Sequence, residues 1–522
     1  MEKLTPDEVR DLIAKLEAIV EDRLVLSEID HDTRIALLKA AGRLSRPTRD
    51  ESARTAKAIR ALDRRRVLDQ DRAVRAATEI RAARRAEVFT APPQLVSAPV
   101  GDGEGDDPGA GELHKARLCY VCKAKFRKVH FFYDAMCAPC AELNYEKRFQ
   151  TASLVGRIAL ITGARVKIGY QAALMMLRAG ARVIVTTRFP RDAAARYARE
   201  PDFTDWQERL EIHGLDLRHS PSVEIFTRYI AQTKPHLDIL INNAAQTVRR
   251  PPAFYAHMLD LERRPFAELT PDVQSVLGNH EACKRAIATG PSLEPAELAL
   301  TGTGDANAGF VAWRGEGPAT GIRASAELAQ IPCAFDDAER DGELFPLGRT
   351  DADLQQIDLR AMNSWRMTLS DVPSAEMLEV QLVNAVAPFI LCAKLKALML
   401  QSPSPERHIV NVSAVEGQFA RHKKTDRHPH TNMAKAALNM LTLTSARDYA
   451  AQGIFMNAVD TGWVTDEDPA ALSQRKQDNH DFQPPLDIVD GAARICDPFF
   501  SSLLTGRHVW GKFLKDYAEA EW

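Results

Sequence analysis

Residues 157–169, R-I-A-L-I-T-G-A-R-V-K-I-G, decide how this chain folds. The apolar run Ile158 to Ile161 stops at Thr162 and Gly163, and a second glycine, Gly169, opens an amphipathic stretch. That order predicts a strand buried on both faces, a tight turn, and a helix whose first N–H groups look back over the turn. A helix tip so placed attracts the pyrophosphate of a dinucleotide, because unpaired N–H groups and the helix dipole both favour negative charge there.

The pattern repeats outward from this stretch. Residues 182–187 (R-V-I-V-T-T), 210–217 (L-E-I-H-G-L-D-L), 238–245 (D-I-L-I-N-N-A-A), 407–414 (R-H-I-V-N-V-S-A) and 454–462 (I-F-M-N-A-V-D-T-G) are further apolar runs separated by helical periodicity. Such alternation predicts an α/β fold with a doubly wound parallel Rossmann sheet covered on both faces. One interval breaks the rhythm. A long insertion at about 248–371 contains the Gly/Ala/Pro-rich passage 288–309, which reads as partly irregular or mobile. It leaves the carboxyl end of a strand, so it is expected to roof or shape the site.

At 522 residues the chain needs more than one folded piece, and four are expected: a helical arm over 1–90, a flexible linker over 91–112, a small module over 113–150, and the Rossmann domain over 151–522. Thr5, Pro6 and Glu8 form a helix-start signature, and Val9, Leu12, Ile13, Leu16, Ile19 and Val20 make an apolar face that must pack on something. Residues 41–90 hold fourteen Arg/Lys against seven Asp/Glu, so the arm is locally basic. Such a helix is solvated, or it engages a protein, or its Arg64–Arg66 cluster contacts nucleic acid. The net charge of −3 excludes a polyanionic partner for the whole molecule. No secretory leader is seen and no apolar run of ~18 residues, so a cytoplasmic protein without a membrane span is expected.

Cys119-x-x-Cys122 and Cys137-x-x-Cys140 are separated by fourteen residues. Each C-x-x-C turn can present two sulfurs to one ion, and a hairpin between them brings the pairs together, so a tetrahedral zinc site is expected. All four ligands are sulfur, which leaves no position for substrate and makes the metal structural. Lys123, Lys125, Arg127 and Lys128 beside Phe131, Phe132 and Tyr133 are either a solvated face over a small aromatic core or a protein- or nucleic-acid-binding surface.

The glycine turn is joined, in order, by Asp216, by Asn242-Asn243-Ala244-Ala245, by Asn384, by Val410-Asn411-Val412-Ser413, by Lys435 within M-A-K-A-A-L-N-M-L, and by Gly453 to Gly462. Together these resemble the short-chain dehydrogenase/reductase family over roughly residues 154–516. The resemblance implies a seven-stranded sheet in the order 3-2-1-4-5-6-7 with a nicotinamide cofactor across its strand ends. It places Gly163 and Gly169 at the phosphates, Asp216 at the adenine, Asn243 near the adenine ribose and Lys435 on the nicotinamide ribose hydroxyls, and it adds Thr162, Ile168, Leu217, Ala244, Thr461 and Gly462 to the cofactor-binding set. No acid follows the second strand to take a ribose 2′-hydroxyl. Arg188, helped by Arg165 or Lys167, would instead clamp a 2′-phosphate, which favours NADP over NAD. Lys167 stands where the family has its middle glycine.

The family reaction also uses a serine and a tyrosine, and this alignment puts Ala414 and Thr431 at their places. A phenol titrates near ~10 and an alcohol nearer ~15.7, a handicap of roughly 8 kcal/mol that a neighbouring lysine does not erase. Ser413 substitutes only if the strand register shifts by one, which would turn it to the other face. His422, His428 and His430 offer an imidazole nearby, or are surface histidines on a polar loop, and His430 with Asn384, Thr431 and Lys435 forms the expected relay. Two functions therefore stand side by side: a divergent NAD(P)-dependent oxidoreductase acting on a carbonyl or alcohol of unassigned identity, or a cofactor-binding sensor or scaffold whose arm and zinc module hold a macromolecule. Sheet-flanking helices leave a homo-oligomer open.

Overall fold

The computed structural model describes residues 4–86, 88–89, 109–289, 317, 319–332, 343–351, 353–420 and 424–522. It divides into two compact units, Met1–Arg72 and Ala73–Trp522.

The first unit is helical. Helix α1 (Pro6–Glu21) begins with the expected capping box, in which the Thr5 N–H donates to Glu8 at 2.7 Å and the Glu8 N–H donates to Thr5 Oγ1 at 3.3 Å. Helix α2 (His31–Ser45) follows, then α3 (Arg49–Ala76). Neither α1 nor α2 buries a residue. The apolar face expected to pack is exposed instead, with Val9, Leu12, Ile13 and Val20 all open to solvent. Periodicity identifies a face but cannot name its partner.

The second unit opens with α4 (Glu79–Arg85), the hairpin β1 (Gly111–Leu118) and β2 (Lys125–Val129), and α5 (Ala138–Phe149). The unit boundary therefore falls at Arg72/Ala73 rather than at residue 90, and α4 belongs with the second unit. Most of the expected linker lies outside the described residues, but its end does not: Gly111 and Glu112 pair with Val129 and Lys128 in the hairpin. The two-residue register was invisible in sequence because glycine and acid are equally at home in a linker.

The Rossmann part runs β3 (Ile158–Thr162), α6 (Lys167–Arg178), β4 (Arg182–Thr187), α7 (Pro190–Tyr197), β5 (Leu210–Gly214), α8 (Ser220–Thr233), β6 (Ile239–Asn242), α9 (Pro271–Thr289), α10 (Ser374–Gln381), α11 (Ala387–Leu400), β7 (Arg407–Ser413), α12 (Pro429–Ala450), β8 (Ile454–Asp460), α13 (Ile488–Thr505), β9 (Phe513–Lys515) and β10 (Ala518–Ala520). The sheet order is β10-β9-β8-β7-β6-β3-β4-β5, parallel except for β10. This is the expected seven-strand order with one short antiparallel edge strand added.

Alternate residues along each strand feed two cores. Ala159 and Ile161 join α6, α7 and α13 on one face, while Ile158 and Leu160 join α8, α11 and the end of α12 on the other. Helix α9, from the insertion, lies along the edge strand β5, where His280 Nδ1 accepts the Gly214 N–H at 3.3 Å. The passage 288–309 lies outside the described residues apart from its first two. The rest of the insertion gathers a small core of its own, Phe254, Tyr255, Met258, Leu259, Ala326 and Phe345, on Phe189.

One helical run, Ser374–Leu400, is long and apolar enough by hydropathy to cross a membrane, contrary to the sequence expectation, and half of its most apolar window is buried. Leu391, Leu395, Leu398 and Met399 within it cover the sheet, which accounts for its composition.

Candidate functional site

The turn after β3 is fixed from beneath. The Asn243 side chain donates to the Thr162 and Gly163 carbonyls at 3.0 Å each, and the Asn243 and Ala244 N–H groups donate to Thr162 Oγ1 at 3.1 and 3.0 Å. A Cβ at Gly163 would lie 2.8 Å from Ala244 Cα, and one at Gly169 would lie 2.3 Å from Asn243 Nδ2. Both positions therefore require glycine. Lys167 adopts φ +56, so it keeps the left-handed backbone that suits the glycine it replaces. Holding a lysine there costs on the order of 1–2 kcal/mol.

Above the turn is a cleft of about 390 Å³. Its wall includes Gly163, Arg165, Lys167, Ile168, Gly169, Arg188, Asp216, Leu217, Asn243 and Ala244, ten of the residues expected at a cofactor. Thr162, Lys435, Thr461 and Gly462 stand outside that wall. Sequence reasoning missed Arg218, Thr465 and Glu467, and from the insertion Arg250, Phe254, Tyr255, Gln355 and Gln356. The insertion does shape the site.

The cations differ in availability. Arg165 is paired to Asp192 at 2.7 Å, and Asp192 also holds Arg196 at 2.8 Å, so its charge is already matched. Arg188 donates to the Tyr255 hydroxyl at 2.7 Å and lies 4.6 Å above that ring, a cation–π seat that presents it at the end of β4. Burial pushes Asp216 up, but Arg218, bonded at 2.7 Å, holds its carboxyl below the usual range; Arg218 also reaches Glu379 at 2.8 Å. The carboxylate expected to meet adenine thus already has a partner.

The expected relay residues come from two places, Asn384 from the turn before α11 and His430, Thr431 and Lys435 from α12. Asn384 sits in a π-helical turn, Leu382–Val386, where its amide accepts the Gln246 N–H at 2.7 Å and donates to the Gln246 carbonyl at 3.3 Å. Lys435 Nζ donates to the Val412 carbonyl at 2.8 Å, and burial pushes its ammonium down to about 8 against the pull of Glu416 and Asp460. Ser413 donates to Asn439 on α12, one turn beyond Lys435 on the same helix, and Ala414 follows it.

Thr431 Oγ1 donates to the His428 carbonyl at 2.9 Å and lies 3.2 Å from His428 Nδ1. With the threonine proton so committed, a proton on Nδ1 is the one that joins the pair. His428 caps α12 at φ +42, and its ring stacks on Trp365 at 3.9 Å. His430 turns elsewhere, its Nε2 lying 3.2 Å from Glu376 on α10. The imidazole beside Thr431 is therefore His428, not His430; the left-handed cap turns the two rings apart, a phase that spacing alone does not reveal. His422 lies outside the described residues. None of Asn384, His430, Thr431 and Lys435 lines the cleft.

The four cysteine sulfurs lie within 4.8 Å of one another, with Cys122 and Cys137 3.6 Å apart. A tetrahedral zinc with bonds of ~2.3 Å has sulfurs about 3.8 Å apart, so the set fits that ion. Phe132 and Tyr133 are buried inside the module. They belong to its core, and Phe131 beside them is partly buried.

A doubly wound parallel sheet with a glycine turn beneath a basic cleft defines a dinucleotide-binding class of fold. Family models agree: that for short chain dehydrogenases matches residues 157–262, and that described as enoyl-(acyl carrier protein) reductase matches residues 356–486. Over these two stretches the chain is similar to the short-chain dehydrogenase/reductase family, an oxidoreductase family. The two matches flank the middle of the insertion. An uncharacterized protein of Acanthamoeba polyphaga mimivirus is 29% identical over 397 residues, covering 74% of this chain and 71% of that protein. Retinol dehydrogenase 14 of Mus musculus is 40% identical over 100 residues, 17% of this chain and 29% of its own. A solved short chain dehydrogenase from Burkholderia cenocepacia in complex with NADP aligns over 70% of this chain and 97% of that one at 16% identity and a TM-score of 0.40.

Proposed function

We propose that the chain is an NADP-dependent oxidoreductase that moves hydride between the nicotinamide and a carbonyl or alcohol. The observation that carries this reading is the cleft itself, where the glycine turn meets an arginine poised on an aromatic ring at the end of β4. Gly163, Ile168 and Gly169 would hold the pyrophosphate, Arg188 with Lys167 a 2′-phosphate, and Lys435 with Thr461 and Gly462 the nicotinamide end. Bound nicotinamide supplies the hydride chemistry. His428, joined to Thr431, is the proton-bearing group this reading favours, because an imidazole exchanges protons near neutrality and an isolated alcohol does not. The four-sulfur set would hold zinc in a structural role.

Calorimetric titration with NADPH and NADH tests the cofactor. NADPH is expected to bind at least ~10-fold more tightly, with Arg188→Ala removing that preference, since a charge-assisted bond contributes about 1.5–3 kcal/mol. If neither dinucleotide binds, the proposal fails. Turnover is read from the nicotinamide absorbance with carbonyl and alcohol panels, and His428→Gln is expected to abolish it.

A second reading has its own support. Ala414 brings no hydroxyl, Asn384 spends its amide on Gln246, and Lys435 already binds a carbonyl. These favour a cofactor-binding sensor or scaffold that engages a partner through its arm. Tight NADPH binding without turnover, joined to partner capture by the full chain, would select it.

A further inference from the structure

The cysteine module and the cofactor cleft share one hydrophobic core. Leu113, Cys119, Phe126, Tyr133 and Met136 of the module pack with Val464, Leu486 and Ile488, and Ile168 of the glycine turn closes on the same cluster. Ile168 and Thr465, the residue after Val464, both line the cleft. Two sections of the cleft wall are thus seated on the module.

A polar contact makes the link specific. Tyr120, between the first two cysteines, accepts the Trp463 N–H on its hydroxyl oxygen at 2.9 Å, while the Leu486 N–H donates to the Trp463 carbonyl at 3.3 Å. Tyr120 is itself fixed, because its own N–H donates to the Ala135 carbonyl at 2.8 Å and the Cys119 N–H donates to Ala124 at 2.8 Å in the same knuckle. Gly462 carries φ +75, and a Cβ there would lie 3.1 Å from the Tyr120 hydroxyl and 2.4 Å from Leu486. The closing loop 461–467 is therefore fitted against the knuckle with no room for a side chain at Gly462.

A second brace runs through α13. Arg148 of the module binds Asp487 at 2.7 Å and Asp490 at 2.8 Å, and the Tyr133 hydroxyl donates to Asp490. Gly491, next along the helix, gives Ile168 its seat, since a Cβ there would lie 2.9 Å from the Ile168 side chain. The module thus supports both sides of the cleft, Ile168 through α13 and the closing loop through Tyr120.

We propose that the four-cysteine module is a positioning brace for the cleft: closed around its metal, it holds Tyr120 against the Trp463 peptide, so the shape of the closing loop and the grip on a dinucleotide depend on the knuckle. Tyr120 is a positioning residue that acts through the Trp463 backbone. The dinucleotide half of this statement rests on the function proposed above; the loop half does not. Unclosed, the cysteine pairs no longer fix the knuckle, and the loop loses its outer support.

The test uses the full chain with its metal content measured. Tyr120→Phe keeps the ring and all four sulfurs and removes only the acceptor. Amide exchange of residues 461–467 and NADPH binding are followed in this variant and in wild-type protein before and after metal removal by a chelator. The expected result is Trp463 exchange faster by about fivefold or more and NADPH bound about fivefold more weakly in Tyr120→Phe, with metal content and thermal midpoint unchanged, and a larger change after chelation. Unaltered exchange at Trp463 in Tyr120→Phe overturns the brace. If NADPH binding is likewise unmoved, the cleft reading survives without it. If exchange quickens but wild-type protein binds neither NADPH nor NADH, the brace stands and the cofactor reading falls.

Discussion

Lys167 is where the site departs most visibly from a plain glycine turn. It keeps left-handed φ at some cost in stability and lines the cleft, and strained residues of this kind persist where function offsets them. Lys167→Gly should therefore raise the thermal midpoint by roughly 1–2 °C and weaken NADPH binding by about tenfold. Unchanged affinity would show that the ammonium does not touch the phosphates. Lys435 carries a pH signature. Its folded value is pushed down to about 8, whereas an unfolded lysine titrates near ~10.4. Between those values the unfolded chain binds more protons, so stability rises with pH through that window, and below it the burial penalty is present in full. Denaturant unfolding from pH 7 to 11 should show the rise, and Lys435→Met should flatten it. At this scale Gly163, Gly169 and the four cysteines were legible in sequence, because the turn and the knuckle are local. The Arg188–Tyr255 seat was not, since its partners are 67 positions apart across an insertion whose course no period reveals.

Among elements, the docking of α5 on α13 rests on a buried charge cluster. Arg148 is buried between Asp487 and Asp490, and Arg494 donates to Asn144 at 2.6 Å beside them. Removing one member strands the others away from water, so Arg148→Met should cost about 3–5 kcal/mol, measured by denaturant unfolding. A loss below ~1 kcal/mol would mean that water reaches the carboxylates. Strand order was readable because parallel strands buried on both faces are continuous apolar runs and right-handed crossovers leave few alternatives. The module's docking was hidden: the charges of Arg148 and Asp490 look like solvated surface until the fold brings them together.

For the molecule as a whole, none of the described residues of the unit Met1–Arg72 is among those that line the cleft. A chain beginning at Ala73 should keep the NADPH affinity and metal content of the full chain within about twofold; a larger loss, seen by calorimetry, would give the arm a part in the site. The arm was legible as helices but not as a boundary, because α3 continues through the division without a break in its charge pattern. The shared core also bears on how the polypeptide is made. The hairpin and knuckle lie between residues 111 and 140, yet the cluster that encloses them needs Val464, Leu486 and Ile488. During synthesis the early thiols therefore emerge some three hundred residues before their apolar surroundings exist. Burial of the module therefore waits for residues 464–488, and until they are made its cysteines lack the apolar cover that the fold gives them.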